Sequence, residues 1–237
     1  MITRTLAARA RLPEQPAAVI LDMDGTLLDT EGAYRDAFLS AVRALGAEVT
    51  DAFYASLVGI SSRERGALVL AHLGPSFPWQ DCLRDYRARK ARLLAGTLRT
   101  KPGAAELLGE LRREGLPRAV ATSAGRETAT AALRKTGLLD EVTALVTRDD
   151  VAVGKPHPAL FLEAARALDT PAERCVAVED SAPGIAAARA AGMQVIVVPD
   201  GTPPLLTLPT DRITMAADLS EVRALLRDLR NGDRADA

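Results

Sequence analysis

Cysteine and histidine are scarce in this chain, with two of each in 237 residues. Cys82 and Cys175 fit neither a disulfide framework nor a metal motif. His72 and His157 are too few for a histidine-rich metal site. Cys175 opens an apolar run and reads as a buried thiol, which suits a reducing cytoplasm. Lysine is nearly as rare: of 30 Lys plus Arg, only Lys90, Lys101, Lys135 and Lys155 are lysines. No apolar run approaches the length of a membrane span, so no membrane association is expected. The stretch Met1 to Arg11 carries three arginines before any acid and lacks the apolar segment of a signal peptide, so it reads as a loose tail. The net charge is −1, which implies no basic surface for nucleic acid.

What the chain does have is an ordinary soluble composition, 48% hydrophobic and 26% charged, and ample length for a core. Short apolar runs at 17–21, 118–121, 143–147, 175–178 and 194–198 are apolar at consecutive positions, as in strands buried on both faces of a parallel sheet. Helical patterns lie between them at 103–114, 126–136, 158–168 and 182–191. Gly115, Gly137 and Gly192 follow three of these, where a helix end wants a left-handed residue. The alternation predicts an α/β fold, a doubly wound parallel sheet of Rossmann type. Residues 33–96 break the rhythm with helical patterns alone, one of them opened by a capping box at Ser61 to Glu64. That segment holds seven of the eight aromatics, as a small module with little volume to bury would need. It reads as an all-helical cap inserted into a catalytic core of 13–32 and 97–237, with flexible tails expected at 1–12 and 230–237.

Four signals carry chemistry. Asp22-Met23-Asp24-Gly25-Thr26 follows the first strand, placing two carboxylates at the strand edge where open α/β sheets bind ligands. Gly25 allows close approach of the backbone, although an acidic turn would share this composition. Glu179-Asp180 follows another buried strand. Two acidic pairs at two strand ends suggest one oxygen-rich site, and hard oxygen donors without Cys or His favour magnesium. Thr122-Ser123 follows a third strand, where hydroxyls and free amides suit an anion or merely cap a helix. Lys155, in an arginine-dominated chain, offers a compact point charge in the loop Gly154-Lys155-Pro156.

Taken in order, these motifs resemble the haloacid dehalogenase superfamily of phosphotransferases, in its phosphoglycolate phosphatase and β-phosphoglucomutase branch. The resemblance implies Asp22 as nucleophile and Asp24 as acid and base, with Lys155 as their catalytic partner. It implies Mg2+ held by Asp22, the Asp24 backbone carbonyl and Asp180, with Glu179 helping directly or through water. Gly25, Thr122, Ser123 and Lys155 would hold the phosphoryl group, and the cap would close over a small phosphorylated metabolite. Tyr34 and Arg63 lie where cap-side substrate contacts are expected, and Tyr34 stands where the resembling mutases carry a histidine. A phosphatase is therefore expected ahead of a sugar phosphomutase, and both ahead of a non-catalytic binding protein on the same fold. A dehalogenase lacks the second aspartate, and Lys90 lies too late in the cap for a Schiff-base relative. The residues name neither the metabolite nor an oligomeric state.

Overall fold

A computed structural model of the chain describes residues 15–58, 62–200 and 212–232, with the side chains of 62, 63 and 230–232 excepted. The apolar runs form β1 (Ala18–Leu21), β2 (Arg118–Ala121), β3 (Ala144–Val146), β4 (Cys175–Glu179) and β5 (Gln194–Val197). A sixth strand, β6 (Ile213–Met215), was not expected. All pair in parallel in the order β3-β2-β1-β4-β5-β6.

Successive side chains of a strand point to opposite faces, and both faces here are apolar. Val19, Leu21, Val176 and Val178 join a core with α5 (Ala104–Arg113), α6 (Arg126–Lys135) and α9 (Leu219–Gly232). Ala18, Ile20 and Ala177 join a second core with α7 (Ala159–Ala167) and α8 (Ala182–Ala190). The sheet is thus doubly wound. Gly115, Gly137 and Gly192 take φ of +66°, +73° and +84° just past α5, α6 and α8, which stops each helix in the left-handed conformation. The expected polar tail from 230 begins inside α9, which runs to Gly232. Residues 233–237 and the expected tail at 1–12 lie outside the described residues.

Between β1 and β2 the chain forms α1 (Glu31–Arg43), α2 (Asp51–Leu57), α3 (Ser62–Leu73) and α4 (Trp79–Ala95). Ser61, and with it the expected capping box, lies outside the described residues. These helices share a third hydrophobic cluster, separate from the two on the sheet. Phe38 is its centre, with the Tyr54 and Tyr86 rings each 5.5 Å away; such aromatic pairs add about 0.5–1.5 kcal/mol beyond their buried area. The outgoing and returning chains run side by side: Asp29 N–H donates to Arg99 O and Lys101 N–H to Leu27 O. No helix among the described residues is long and apolar enough to cross a membrane.

Candidate active site

β1 sits between β2 and β4, and the strand order reverses there. At such a point the connecting loops diverge and leave a crevice at the carboxyl ends of the strands. Asp22 follows β1, Thr122 follows β2 and Asp180 follows β4, so three separate chain segments deliver side chains to one place. A cavity of about 200 Å³ opens there, and Asp22, Asp24, Thr122, Ser123, Lys155 and Asp180 line it. Asp22, Thr122, Lys155, Glu179 and Asp180 are buried, and Ser123 is exposed at the rim.

Lys155 comes from the loop before α7 and binds two carboxylates, Asp22 Oδ1 and Glu179 Oε1, the latter at 2.6 Å. Burial works against its ammonium, but the charges of Asp22 and Glu179 outweigh it and hold the pKa above the ordinary lysine value. The Asp22 carboxyl is pushed up, chiefly by burial and against the pull of Lys155. Asp180 is pushed up too, by burial and then by the charges of Glu179 and Asp22. Three buried carboxylates therefore share one ammonium, and the surplus negative charge calls for a cation or a proton.

Close approach of backbone to carboxylate is built in at two glycines. Gly25 has φ +85°, and a Cβ there would collide with the Asp180 carboxylate; a Cβ on Gly184 would collide with that of Glu179. Thr26 Oγ1 donates to Asp180 Oδ1 at 3.0 Å, which fixes that side chain beside the Asp22 loop.

Glu179 stands apart from the other expected site residues. Glu179 does not line the cavity. Its Oε1 accepts from Lys155, and its Oε2 accepts from the amides of Asp180 and Ser181 at 3.0 and 2.9 Å and from Ser181 Oγ at 3.0 Å. Its four internal donors tie it to Lys155 and to the loop after β4. The Asp24 side chain lines the cavity, and its Oδ1 accepts from Thr30 Oγ1 at 2.9 Å. The Tyr34 hydroxyl, lining the cavity, is also directed at Asp24. The side chain of Arg63 lies outside the described residues.

Among the described residues no three His, Cys, Asp or Glu side chains converge as a ready-made metal cluster. What remains suits an ion that takes few protein ligands. Mg2+ commonly uses one or two carboxylates and fills its octahedron with water and substrate phosphate. The Asp22 and Asp180 carboxylates, both strained by surplus negative charge, offer that donor set.

Several groups on the cavity wall were not among the site residues expected from sequence. Glu31, at the start of α1, and Lys90, on α4, both line the cavity, as do Tyr54, Arg65, Tyr86 and Arg148. Lys90 Nζ lies 3.5 Å from the centroid of the Tyr34 ring, and burial lowers its pKa. The rarity of lysine was the available signal for Lys90; its late place in the helical segment hid its direction.

Comparison with known proteins identifies the family. The family model of the haloacid dehalogenase-like hydrolases matches residues 16–192. A phosphorylated carbohydrates phosphatase of Thermotoga maritima is 31% identical over 183 residues, covering 76% of this chain and 83% of its own. The protein CbbY of Cereibacter sphaeroides is 35% identical over 195 residues, covering 77% and 84%. A crystal structure of mutant CbbY from Rhodobacter sphaeroides, in complex with xylulose-1,5-bisphosphate, superposes with a TM-score of 0.73 at 31% identity, over 87% of this chain and 96% of that one.

Proposed function

The chain belongs to the haloacid dehalogenase-like hydrolases and is a phosphoric monoester hydrolase, and from that premise we propose that it frees phosphate from a small phosphorylated metabolite by a magnesium-dependent route through Asp22. The observation that carries this reading is the buried Asp22–Lys155–Glu179 cluster beside Asp180, at the sheet edge where the strand order reverses. The small cavity supports a metabolite, not a macromolecule. The phosphorylated carbohydrates phosphatase and the bisphosphate bound by CbbY favour a phosphorylated sugar as its class.

In this reading Asp22 attacks phosphorus, the bond to the leaving oxygen breaks, and Asp24 gives that oxygen a proton. Water then attacks the aspartyl-phosphate and gives its proton to Asp24, which restores Asp22 as a carboxylate and Asp24 as an acid. Lys155, Thr122, Ser123 and the Gly25 backbone hold the phosphoryl oxygens, where positioning and electrostatics supply most of the rate. Magnesium, held by Asp22, Asp180 and the Asp24 backbone carbonyl, would supply neutralising charge to those oxygens. Thr30 and Tyr34 hold Asp24 at the cavity wall. Tyr34 also favours water over a sugar as acceptor, since the resembling mutases carry histidine at this point. The helical segment closes the cavity over the substrate, and a cytoplasmic setting accompanies the reading.

The test is Asp24→Asn in rapid-mixing measurements of the first turnover. An alkyl phosphate has a poor leaving group and needs the proton; an aryl phosphate with an acidic leaving group does not. General acid help is worth about 10²–10⁴-fold, so the alkyl substrate should slow by at least ten times more than the aryl one. Equal slowing of both would remove Asp24 from proton transfer.

A further inference from the structure

Two of the four lysines, Lys101 and Lys135, stand outside the cavity, where the helical segment joins the sheet. A helix leaves its last four carbonyls without a partner inside itself; in α4 these belong to Arg92, Leu93, Leu94 and Ala95. The Gly96 amide donates to the first two. The other two accept from Lys135 Nζ, Leu94 O at 3.0 Å and Ala95 O at 2.6 Å. Lys135 ends α6, a helix of the sheet, so a side chain of the core completes a helix of the inserted segment. The last turn of α4 also straddles two cores: Leu93 packs on the helical cluster, and Leu94 on the sheet cluster. Lys101 fixes the chain that returns from α4. Its amide donates to Leu27 O, and its Nζ donates to Asp200 Oδ1, just past β5, at 2.6 Å. Both side chains are 18% exposed, so water screens this pair less than an ordinary surface pair.

Resting on the phosphatase reading above, we propose that Lys101 and Lys135 are positioning residues: they pin the end of α4 and the returning chain to the sheet, and so set from outside the cavity where its α4 wall stands over the phosphoryl floor. That wall includes Tyr86 and Lys90. At 1.5 Å per residue they lie about 13.5 and 7.5 Å back from Ala95 along the helix axis. A tilt of about 5° at the pinned end therefore moves Tyr86 by about 1 Å, and an error of that size can cost on the order of 100-fold in rate. The floor does not share this motion, because Asp22, Thr122 and Lys155 come from the loops of the sheet. Releasing the two lysines should thus loosen the grip on a leaving group while the grip on phosphate itself is kept.

The experiment uses the full chain with Lys101→Met, Lys135→Met, the double variant and Lys135→Arg, which keeps the charge and the donors. Hydrogen exchange reads the anchoring without any catalysis. The amides of Asp29, Gly96 and Lys101, bonded at the junction, should exchange roughly 3–5-fold faster in each Met variant and at least tenfold faster in the double variant, while β1 and β4 keep their rates. Kinetics reads the positioning. The kcat/KM for p-nitrophenyl phosphate, whose ring must pass under the wall, should fall by roughly the same factors, and the Ki of inorganic phosphate, which needs the floor alone, should change less than about twofold. Lys135→Arg should recover most of both losses. Unchanged exchange at the junction, a phosphate Ki that rises as much as kcat/KM falls, or an Arg variant as impaired as the Met variant would overturn the inference and leave the phosphatase reading intact. If Lys101→Met does not fold by its melting curve, Lys135→Met, at an exposed position, decides alone. A wild-type enzyme inert toward p-nitrophenyl phosphate and every other ester would remove the phosphatase reading, and with it the positioning role, whatever the exchange rates show.

Discussion

Replacing Glu179 by glutamine changes one atom and should nonetheless destabilise the protein. The carboxylate accepts four hydrogen bonds, from Lys155, two backbone amides and Ser181 Oγ. A glutamine oxygen can keep the three that Oε2 accepts, but its NH2 then faces the Lys155 ammonium, donor against donor. A hydrogen bond to a charged group contributes about 1.5–3 kcal/mol, and a buried donor left without a partner costs more. Breaking a buried ion pair costs about 3–5 kcal/mol when a charge is stranded. Here Lys155 keeps Asp22, and Asp22 and Asp180 lose a repelling neighbour. The net loss should therefore sit near the lower end, roughly 2–3 kcal/mol. For a chain of this size that corresponds to a fall in Tm of roughly 5–10 °C. Urea melts and calorimetry should be run in metal-free buffer, because an ion bound to the folded state alone adds stability by mass action. A loss below about 1 kcal/mol would show that Glu179 does not hold Lys155 in the way described.

Asp22→Asn should abolish phosphate release with the melting curve intact, since a neutral amide is no nucleophile; near-wild-type turnover by the purified variant would remove Asp22 from that role. Exhaustive chelation should end turnover and Mg2+ should restore it, with Ca2+ restoring less because its larger coordination sphere fits in-line transfer poorly; full activity in chelator would refute the metal site. Arg126, and then Thr147, hold the Asp150 carboxyl at about 2 against 3.8. The folded pKa is depressed, so the contribution is complete above about pH 4 and is lost as pH falls towards 2. Asp150→Asn should cost no more than about 1 kcal/mol at neutral pH, since Arg126 is half exposed, and urea melts should show that difference vanish at pH 2; a difference that persists there would contradict the ion-pair account.

The parts of the fold legible in the sequence were those in which burial acts on consecutive residues. β1, β2, β4 and β5 are covered on both faces, so their runs are apolar without alternation. β6 escaped notice because it is three residues long with a threonine at its centre. α9 places Leu219, Val222 and Leu226 on the core but follows no apolar run that would announce it. In the site, Asp22, Thr122 and Asp180 were legible because strand ends fix them by chain position alone. Glu31, Lys90 and Arg148 were not, because they reach the cavity only through the packing of α1 and α4 and the turn after β3. Arg148 stands beside Asp149 and Asp150 in the chain and reads there as ordinary surface charge. Glu179 was legible as an acid at a strand end, but its partners depend on the loop fold that Gly184 permits.

This division separates two kinds of change that the site can undergo. On the floor, Asp22, Lys155, Glu179 and Asp180 are bound to one another, to Thr26 and to backbone amides. A substitution there disturbs charges that are both buried and shared, so stability and turnover should fall together. On the wall, Glu31 meets the Tyr54 hydroxyl and the Lys90 ammonium, and Lys90 rests on the rings of Tyr34 and Tyr86. A substitution there should alter kcat/KM between substrates more than it alters Tm. The wall is carried by helices with their own hydrophobic cluster, so its residues can vary without repacking the sheet. Phosphoryl chemistry and substrate choice should therefore be separable by mutation, with Asp24 as the residue between the two groups. It follows β1 by only three positions in the sequence, yet it is held by Thr30 and Tyr34 at the mouth of the helical segment.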